Sequence, residues 1–419
     1  MQLGGCANQY GASNVSTANQ KEHNIADKAI MDTSIGGMVD EGALAGAVAL
    51  VYQDGKEVYY GAFGMANRET GETMKRDTLV QLFSMSKPIT GVAIMQQYEQ
   101  GKFKFDDPIA MHAPEFANLK VFAGLDDDGE IILVEPNRPP TVADFLRHTA
   151  GLQSGGDDTP VGKIFAELDP PNWDNTLSEF AEKLGQVPLL YHPGDRWLYS
   201  PAADVQAFLV ERFSGVPYDK YVQDNILTPL GMDETSYFVP EDKRHRMAMR
   251  YRVSDAHTSA AVGQEEADSI NTKHWAMNPG GFGYVSKVDD YMNFARMLLN
   301  EGEFNGHRIL KPETIRLMAT DHLPDTVGDR SWLPSKGQVG FGVDFAVRIA
   351  PPASVGEDYG VVGEFFWDGY ASTLFWVDPK SNLAAVILVQ SIPIHTVKVH
   401  KRFRNAVYGV PERDAFIED

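Results

Sequence analysis

The sequence predicts an α+β fold organised on an antiparallel sheet to which both ends of the chain contribute, and three observations carry that reading. Apolar positions alternate through Ala47 to Gln53 and again through Glu57 to Phe63, on either side of Asp54-Gly55, a two-residue hairpin signal. Toward the other end, Gly340 to Val347, Ser372 to Val377 and Leu383 to Gln390 read as strands, the last two joined by the turn Asp378-Pro379-Lys380-Ser381-Asn382. Between the two sets lie helical and loop segments, including Val205 to Phe213 and Tyr218 to Ile226, without an internal repeat.

The elements follow in order along the chain. Residues 1–22 are polar and read as a flexible tail, and a helix of roughly Ile25 to Asp40 leads into the first hairpin. An apolar helix then ends at Gly101, which stands where a C-terminal cap belongs, while Pro88 lacks the N–H of an interior turn and so belongs to the first turn. Segments 124–140 and 155–175 are rich in Gly, Pro and Asp and read as loops, the first carrying a short hairpin through Asp126-Asp127-Asp128-Gly129. Ser200 reads as an N-cap and Pro201 as the first residue of a helix, which sets Tyr199 just before a helix N-terminus. Phe365 to Val377, aromatic and β-branched, reads as a strand in which Gly369 lets another backbone approach closely.

Chemistry enters at Ser84-Met85-Ser86-Lys87, the only Ser-x-x-Lys in the chain. Residues three apart on a helix share a face, so the Lys87 amine can reach the Ser84 hydroxyl. A serine hydroxyl needs a neighbour to take its proton, and lysine serves when burial brings its pKa down from about 10.4. The positive end of the helix favours negative charge developing there. A chain of this length holds roughly one Ser-x-x-Lys by chance, so companion segments decide the matter. Tyr199, beside a helix N-terminus and an ammonium, could relay the serine proton to a leaving group. A strand edge through Tyr370 could add a second backbone amide to that of Ser84 for holding an oxyanion.

The order Ser84-x-x-Lys87, then Tyr199-Ser200, then Trp367-Asp368-Gly369 resembles that of the serine β-lactamase and penicillin-binding protein superfamily, in the branch holding class C β-lactamases and family VIII carboxylesterases. Further matches are Thr141 to Leu152, Pro229-Leu230-Gly231-Met232 and Gly280 to Ser286. The resemblance implies a β-lactamase-like fold: a discontinuous sheet domain of residues 23–103 and 276–419, a mainly helical inserted domain of residues 104–275, and Ser84 in the cleft between them. It implies Ser84 as nucleophile, Lys87 as general base with Tyr199, and Trp367, Asp368 and Gly369 as the substrate-binding third motif. No cofactor is implied.

Two departures from the lactamase pattern bear on substrate. Pro201 stands where lactamases have asparagine, which removes a side-chain amide worth about 1 kcal/mol to an acylamido group. Trp367-Asp368-Gly369 stands where they have Lys-Thr-Gly, replacing the cation that meets a substrate carboxylate with an indole and an anion. The expected function is hydrolysis of short acyl or aryl esters, with weak β-lactam hydrolysis from the shared machinery. The alternatives are a class C-like β-lactamase or D-alanyl peptidase, and a covalent penicillin-binding protein that does not turn over.

Composition bounds the remaining classes. Lys and Arg number 37 against 58 Asp and Glu, a net charge of −21 that argues against nucleic acid and anionic membrane surfaces as partners. The oligomeric state is not readable. Scattered histidines offer no metal motif, and His148 reads as a brace for its turn. There is no Gly-x-Ser-x-Gly elbow and no apolar run long enough for a membrane span. A lone cysteine, Cys6, excludes an intramolecular disulfide. The expected compartment is the cytoplasm; Leu3-Gly4-Gly5-Cys6 resembles a lipid-attachment box, and a signal upstream of it would instead make this a periplasmic lipoprotein.

Overall fold

The first helix, α1 (Lys28–Asp40), starts where Asp27 accepts hydrogen bonds from the Ala29 and Ile30 amides, and it buries Met31, Ile35 and Met38 on one face. The structure, a computed structural model, describes residues 25–254, 259–328, 330, 332–394 and 397–410. Residues 1–22 and Cys6 lie outside these, so the expectations about them have no structural counterpart.

The chain ends form one eight-stranded sheet, antiparallel throughout, from β1 (Gly46–Gln53), β2 (Lys56–Asn67), β3 (Glu72–Thr73), β4 (Val339–Phe341), β5 (Ala346–Arg348), β6 (Phe365–Asp368), β7 (Leu374–Asp378) and β8 (Leu383–Val389). The spatial order is β4-β5-β6-β7-β8-β1-β2-β3, with Ala47 opposite Val389 and Gln53 opposite Leu383 at the central seam. Every residue of β8 is buried, which explains a continuous apolar run where a one-sided sheet would alternate. Helices supply that cover: α5 (Val288–Leu299) lies across β1, β7 and β8, while α1 pairs with the last helix, α6 (Val399–Val407).

Two expected strands prove to be hairpins. Gly340 to Val347 folds back on itself between β4 and β5, with Asp344 at a φ of 56°. Phe365 to Val377 is divided into β6 and β7 by a turn in which Ser372 has a φ of 66°. The turn closes locally, with the Ser372 N–H donating to the Gly369 carbonyl at 2.9 Å and the Gly369 N–H to the Thr373 carbonyl at 3.0 Å, and a Cβ on Gly369 would lie 2.3 Å from the Leu82 carbonyl, so only glycine lets the turn pack on the segment before Ser84.

Residues 104–275 hold mainly helices and loops, among them α3 (Val142–Leu146) and α4 (Ala202–Ser214), with a hairpin of Val121–Leu125 and Ile131–Val134 at the expected Asp-rich turn. Their later part returns to the sheet side, where Tyr251–Val253 pairs in parallel with Ser391–Ile392. The helix α2 (Lys87–Glu99) packs against α4 and is buried along most of its length. Gly101, with a φ of 71°, follows its end as the capping pattern requires.

Candidate active site

Ser84 lies in a single 3₁₀ turn, Phe83–Ser86, that runs directly into α2 with Pro88 in its first turn. Phe83 holds a φ of 49°, a conformation unfavourable for a bulky residue and one that marks this turn as strained. Lys87 is buried, and its Nζ donates to the Gly281 carbonyl at 2.7 Å and to Ser84 Oγ at 3.4 Å. The Tyr199 ring lies beneath the same amine, its centroid 4.6 Å from Nζ, and the buried Tyr199 hydroxyl has no hydrogen-bond partner among the described residues. The hydroxyl, amine and phenol named from the sequence thus meet, although 115 residues of loop and helix separate the first from the last in a way that only the α2–α4 packing resolves.

The approach to Tyr199 differs from expectation by one residue. Helix α4 begins at Ala202 with Pro201 as its N-cap, and Ser200 makes no capping bond. Its backbone N–H donates to His148 Nδ1 at 3.3 Å and its Oγ lies 3.2 Å from the same nitrogen. His148, fully buried at a φ of 59°, packs its ring 4.9 Å from that of Tyr199 and ties the Ser200 segment to the turn after α3 rather than bracing that turn itself. Burial, with the Lys87 charge nearby, holds its pKa well below the usual histidine value, so the imidazole is neutral. The turn it occupies is fixed by Asp144 of α3, whose carboxylate accepts from Arg138, the Thr141 amide and Thr149 Oγ1.

The third motif divides. Trp367 is fully buried against Tyr199, Phe341 and Trp332, at ring-centroid distances of 5.6, 5.3 and 6.0 Å. Gly369 makes the close approach to Leu82, and Tyr370 stands exposed with its ring 5.7 Å from that of Phe83. Asp368 corrects the reading of the motif as an open anion. It is buried, ion-paired with Lys336 and 3.7 Å from His400 Nδ1, so it neither faces substrate nor presents an unbalanced charge. Lys336 also stands 4.8 Å from the Trp367 ring and 4.9 Å from that of Trp332. Neither Lys336 nor Trp332 carries a sequence signal, because a loop brings both to the site.

Two buried acids complete the surroundings of Lys87. The Gly281 N–H donates to Asp204 Oδ1 at 2.7 Å, and burial pushes the Asp204 carboxyl up to about 6 against the Lys87 charge and the Gly281 amide. Asp344, at the β4–β5 turn, is pushed by burial up to about 8. The described residues contain no cluster of His, Cys, Asp and Glu able to hold a metal ion, and no helix among them is long and apolar enough to cross a membrane.

Comparison with known proteins agrees with this architecture. A family described as beta-lactamase matches residues 31–407. An uncharacterized protein of Mycobacterium tuberculosis is 33% identical over 381 residues, covering 86% of this chain and 89% of its own. A lovastatin esterase of Penicillium rubens is 29% identical over 90% of this chain and 98% of its own, and esterase EstB of Burkholderia gladioli is 28% identical over 84% and 87%. Among solved structures, EstCE1, described as a hydrolase with promiscuous acyltransferase activity, superposes with a TM-score of 0.75 at 25% identity over 91% of this chain and 98% of its own. Two of these relatives are described as esterases and the superposed structure as a hydrolase. With the family matched across nearly the whole sheet and everything between its two halves, the chain belongs to the beta-lactamase family.

Proposed function

We propose that this chain is a serine carboxylesterase of the family VIII type, acting on short acyl or aryl esters through an acyl-enzyme on Ser84. Lys87 Nζ, hydrogen-bonded to Ser84 Oγ, takes the hydroxyl proton as Oγ adds to the ester carbonyl. The Ser84 and Tyr370 amides are the candidate donors to the resulting oxyanion. As the tetrahedral intermediate collapses, the C–O bond to the alcohol breaks and the proton passes from Lys87, through Tyr199, to the leaving oxygen. Water then adds to the acyl-enzyme, returning the acid and free Ser84.

The observation that carries the esterase reading is the wall beside the nucleophile. Tyr199 and Trp332, backed by the buried Trp367, make it aromatic, and Lys336 behind them is paired with Asp368. A substrate carboxylate would find Lys336 already paired, whereas an uncharged acyl or aryl group finds apolar surface. The esterase relatives support the same reading.

The test is the rate of hydrolysis of p-nitrophenyl acetate through octanoate beside that of nitrocefin, for the wild type and Ser84→Ala, Lys87→Ala and Tyr199→Phe. Fast turnover of short esters with slow nitrocefin cleavage is expected, with each substitution costing about 10² to 10⁴ in kcat. Dominant nitrocefin turnover would make this a β-lactamase, a single unrepeated burst a covalent binding protein, and a fully active Lys87→Ala would end the lysine-base mechanism.

A further inference from the structure

Two carboxyls close on the stretch of α2 that carries Lys87. Asp204 is reached through one residue: Gly281 donates its N–H to Asp204 Oδ1 and accepts from Lys87 Nζ at its carbonyl, both at 2.7 Å. A Cβ on Gly281 would lie 3.1 Å from Asp204 Oδ1 and 3.2 Å from Lys87 Nζ, so acid and amine converge on one point. Asp344 packs on Gly91, one turn beyond Lys87 on the same face of α2, with Oδ2 3.1 Å from the Cβ position there.

The donors around Asp344 are too few for a carboxylate. Oδ1 accepts from Gln206 Nε2 at 3.3 Å, and Oδ2 has no hydrogen-bond partner among the described residues. Asp144, buried to the same degree, accepts from Arg138 at 2.6 and 2.9 Å, from the Thr141 amide at 2.8 Å and from Thr149 Oγ1 at 2.8 Å. An ion buried without such partners is strongly disfavoured relative to its protonated form. The groups facing Asp344 are Lys87 on α2, Asp204 and Gln206 on α4, and His148 after α3, whose Nε2 lies 4.0 Å from Oδ1. His148 accepts at Nδ1 from the Ser200 amide, which leaves its proton on Nε2 and the ring neutral.

We propose that Asp204 and Asp344 are positioning residues for Lys87, a buried carboxyl pair that sets one negative charge rather than two beside the amine that serves Ser84. The proposal rests on Lys87 acting as the base for Ser84. Two ionised carboxylates beside one ammonium would stabilise the charged lysine and withhold the free amine that acylation needs. With Asp344 protonated near neutrality, Asp204 alone balances Lys87 and fixes it through Gly281. Once Asp344 ionises, above about 8, a second buried negative charge faces the stretch of α2 that carries Lys87 and the rise of ester hydrolysis with pH flattens.

Asp344→Asn preserves the shape of the neutral acid and the acceptor for Gln206 while removing the ionisation. The ratio of its kcat/KM to that of the wild type is expected to stay near one at about pH 6.5 and to reach about tenfold at about pH 9.5, a difference of about 1.4 kcal/mol for one added buried charge. A ratio constant across that range overturns the proposal and assigns Asp344 a structural role only. Infrared difference spectra of the wild-type protein between about pH 7 and 9.5 read the same proton without reference to activity and without a folded variant. Loss of one protonated-carboxyl band is expected, and absence of that band overturns the proposal even where ester hydrolysis is intact. A band that is present while hydrolysis proves independent of Ser84 sinks the functional reading, and with it the role of the pair.

Discussion

Gly281→Ala tests the site at its tightest point. The new methyl would lie 3.2 Å from Lys87 Nζ, and 3.1 and 3.3 Å from the two Asp204 oxygens, against an ordinary contact of about 3.5–4.0 Å. Gly281 cannot retreat, because its N–H and carbonyl are both held at 2.7 Å. Its φ lies outside the left-handed region, so alanine costs space and not backbone conformation. Lys87 must therefore give by a few tenths of an ångström, and its contact with Ser84 Oγ is already 3.4 Å. Since a misplacement of about 1 Å can cost about 10² in rate, we expect kcat to fall about tenfold with KM little changed. Overpacking adds a stability cost of about 1–3 kcal/mol. The assay is kcat and KM for p-nitrophenyl butyrate beside a urea unfolding curve, with Gly263→Ala as control, since a Cβ there meets open space at a φ of −59°. A Gly281→Ala enzyme with kcat within about twofold of the wild type and an unchanged unfolding midpoint would refute the geometry inferred for the lysine.

Three further outcomes follow from the ion pairs and rings. Burial pushes the Asp144 carboxyl up, but Arg138, the Thr141 amide and Arg147 outweigh it and hold the pKa below the usual range. The stabilisation is thus complete above the unfolded value of about 3.9 and lost as pH falls through the folded one, so Asp144→Asn should cost about 2–3 kcal/mol at neutral pH and progressively less below about pH 4, read by urea unfolding. Glu364 is fully buried between Arg348 Nε at 2.9 Å and Arg404 Nη1 at 2.8 Å, and Glu364→Gln, leaving two buried guanidinium groups without their anion, should cost about 3–5 kcal/mol; a loss under about 1 kcal/mol would show that water relieves them. Trp332 touches both Tyr199 and Trp367, at 5.1 and 6.0 Å, so Trp332→Ala should raise KM for p-nitrophenyl benzoate about fivefold, some 1 kcal/mol of ring contact, and move that for the acetate less than about twofold.

Local signals in the chain reached far into the fold. The Asp54-Gly55 turn, the Pro88 and Gly101 limits of α2 and the Asp378 to Asn382 turn all stand where their chemistry placed them. What the strand reading passed over was reversal inside an apolar run, although Asp368-Gly369 is the same dipeptide that marks the first hairpin. Gly340 to Val347 and Phe365 to Val377 are apolar over most of their length, yet each reverses through a local turn, closed by the Gly342 N–H on the Phe345 carbonyl at 2.8 Å and by the Ser372 N–H on the Gly369 carbonyl at 2.9 Å. Ser200 carries the residue type of an N-cap, yet its hydroxyl lies against His148, fifty-two positions earlier. At the site, the Ser84 and Lys87 juxtaposition was legible because their spacing is local, whereas Tyr199 was pointed to by the order of the three motifs. Asp368 was misjudged because its partner, Lys336, is supplied by another loop, and Asp204 and Asp344 were silent because what distinguishes them is burial beside Lys87.

The seam of the sheet has a consequence for how the chain reaches this state. Strand β1, near the beginning, has β8 as its neighbour, and the side chains of Asp54 and Asn382 that close the pairing at 2.9 Å are 328 residues apart. During synthesis at about 5–20 residues per second the β1–β2 hairpin would wait roughly 15–65 s with one edge unpaired, while the helices of residues 104–275 already have local partners. The sheet can close only once the last strands emerge, which makes slow, late consolidation of the Ser84 turn a property of the topology, and makes the exposed edge of β1 the place where a nascent chain is most vulnerable to pairing with another.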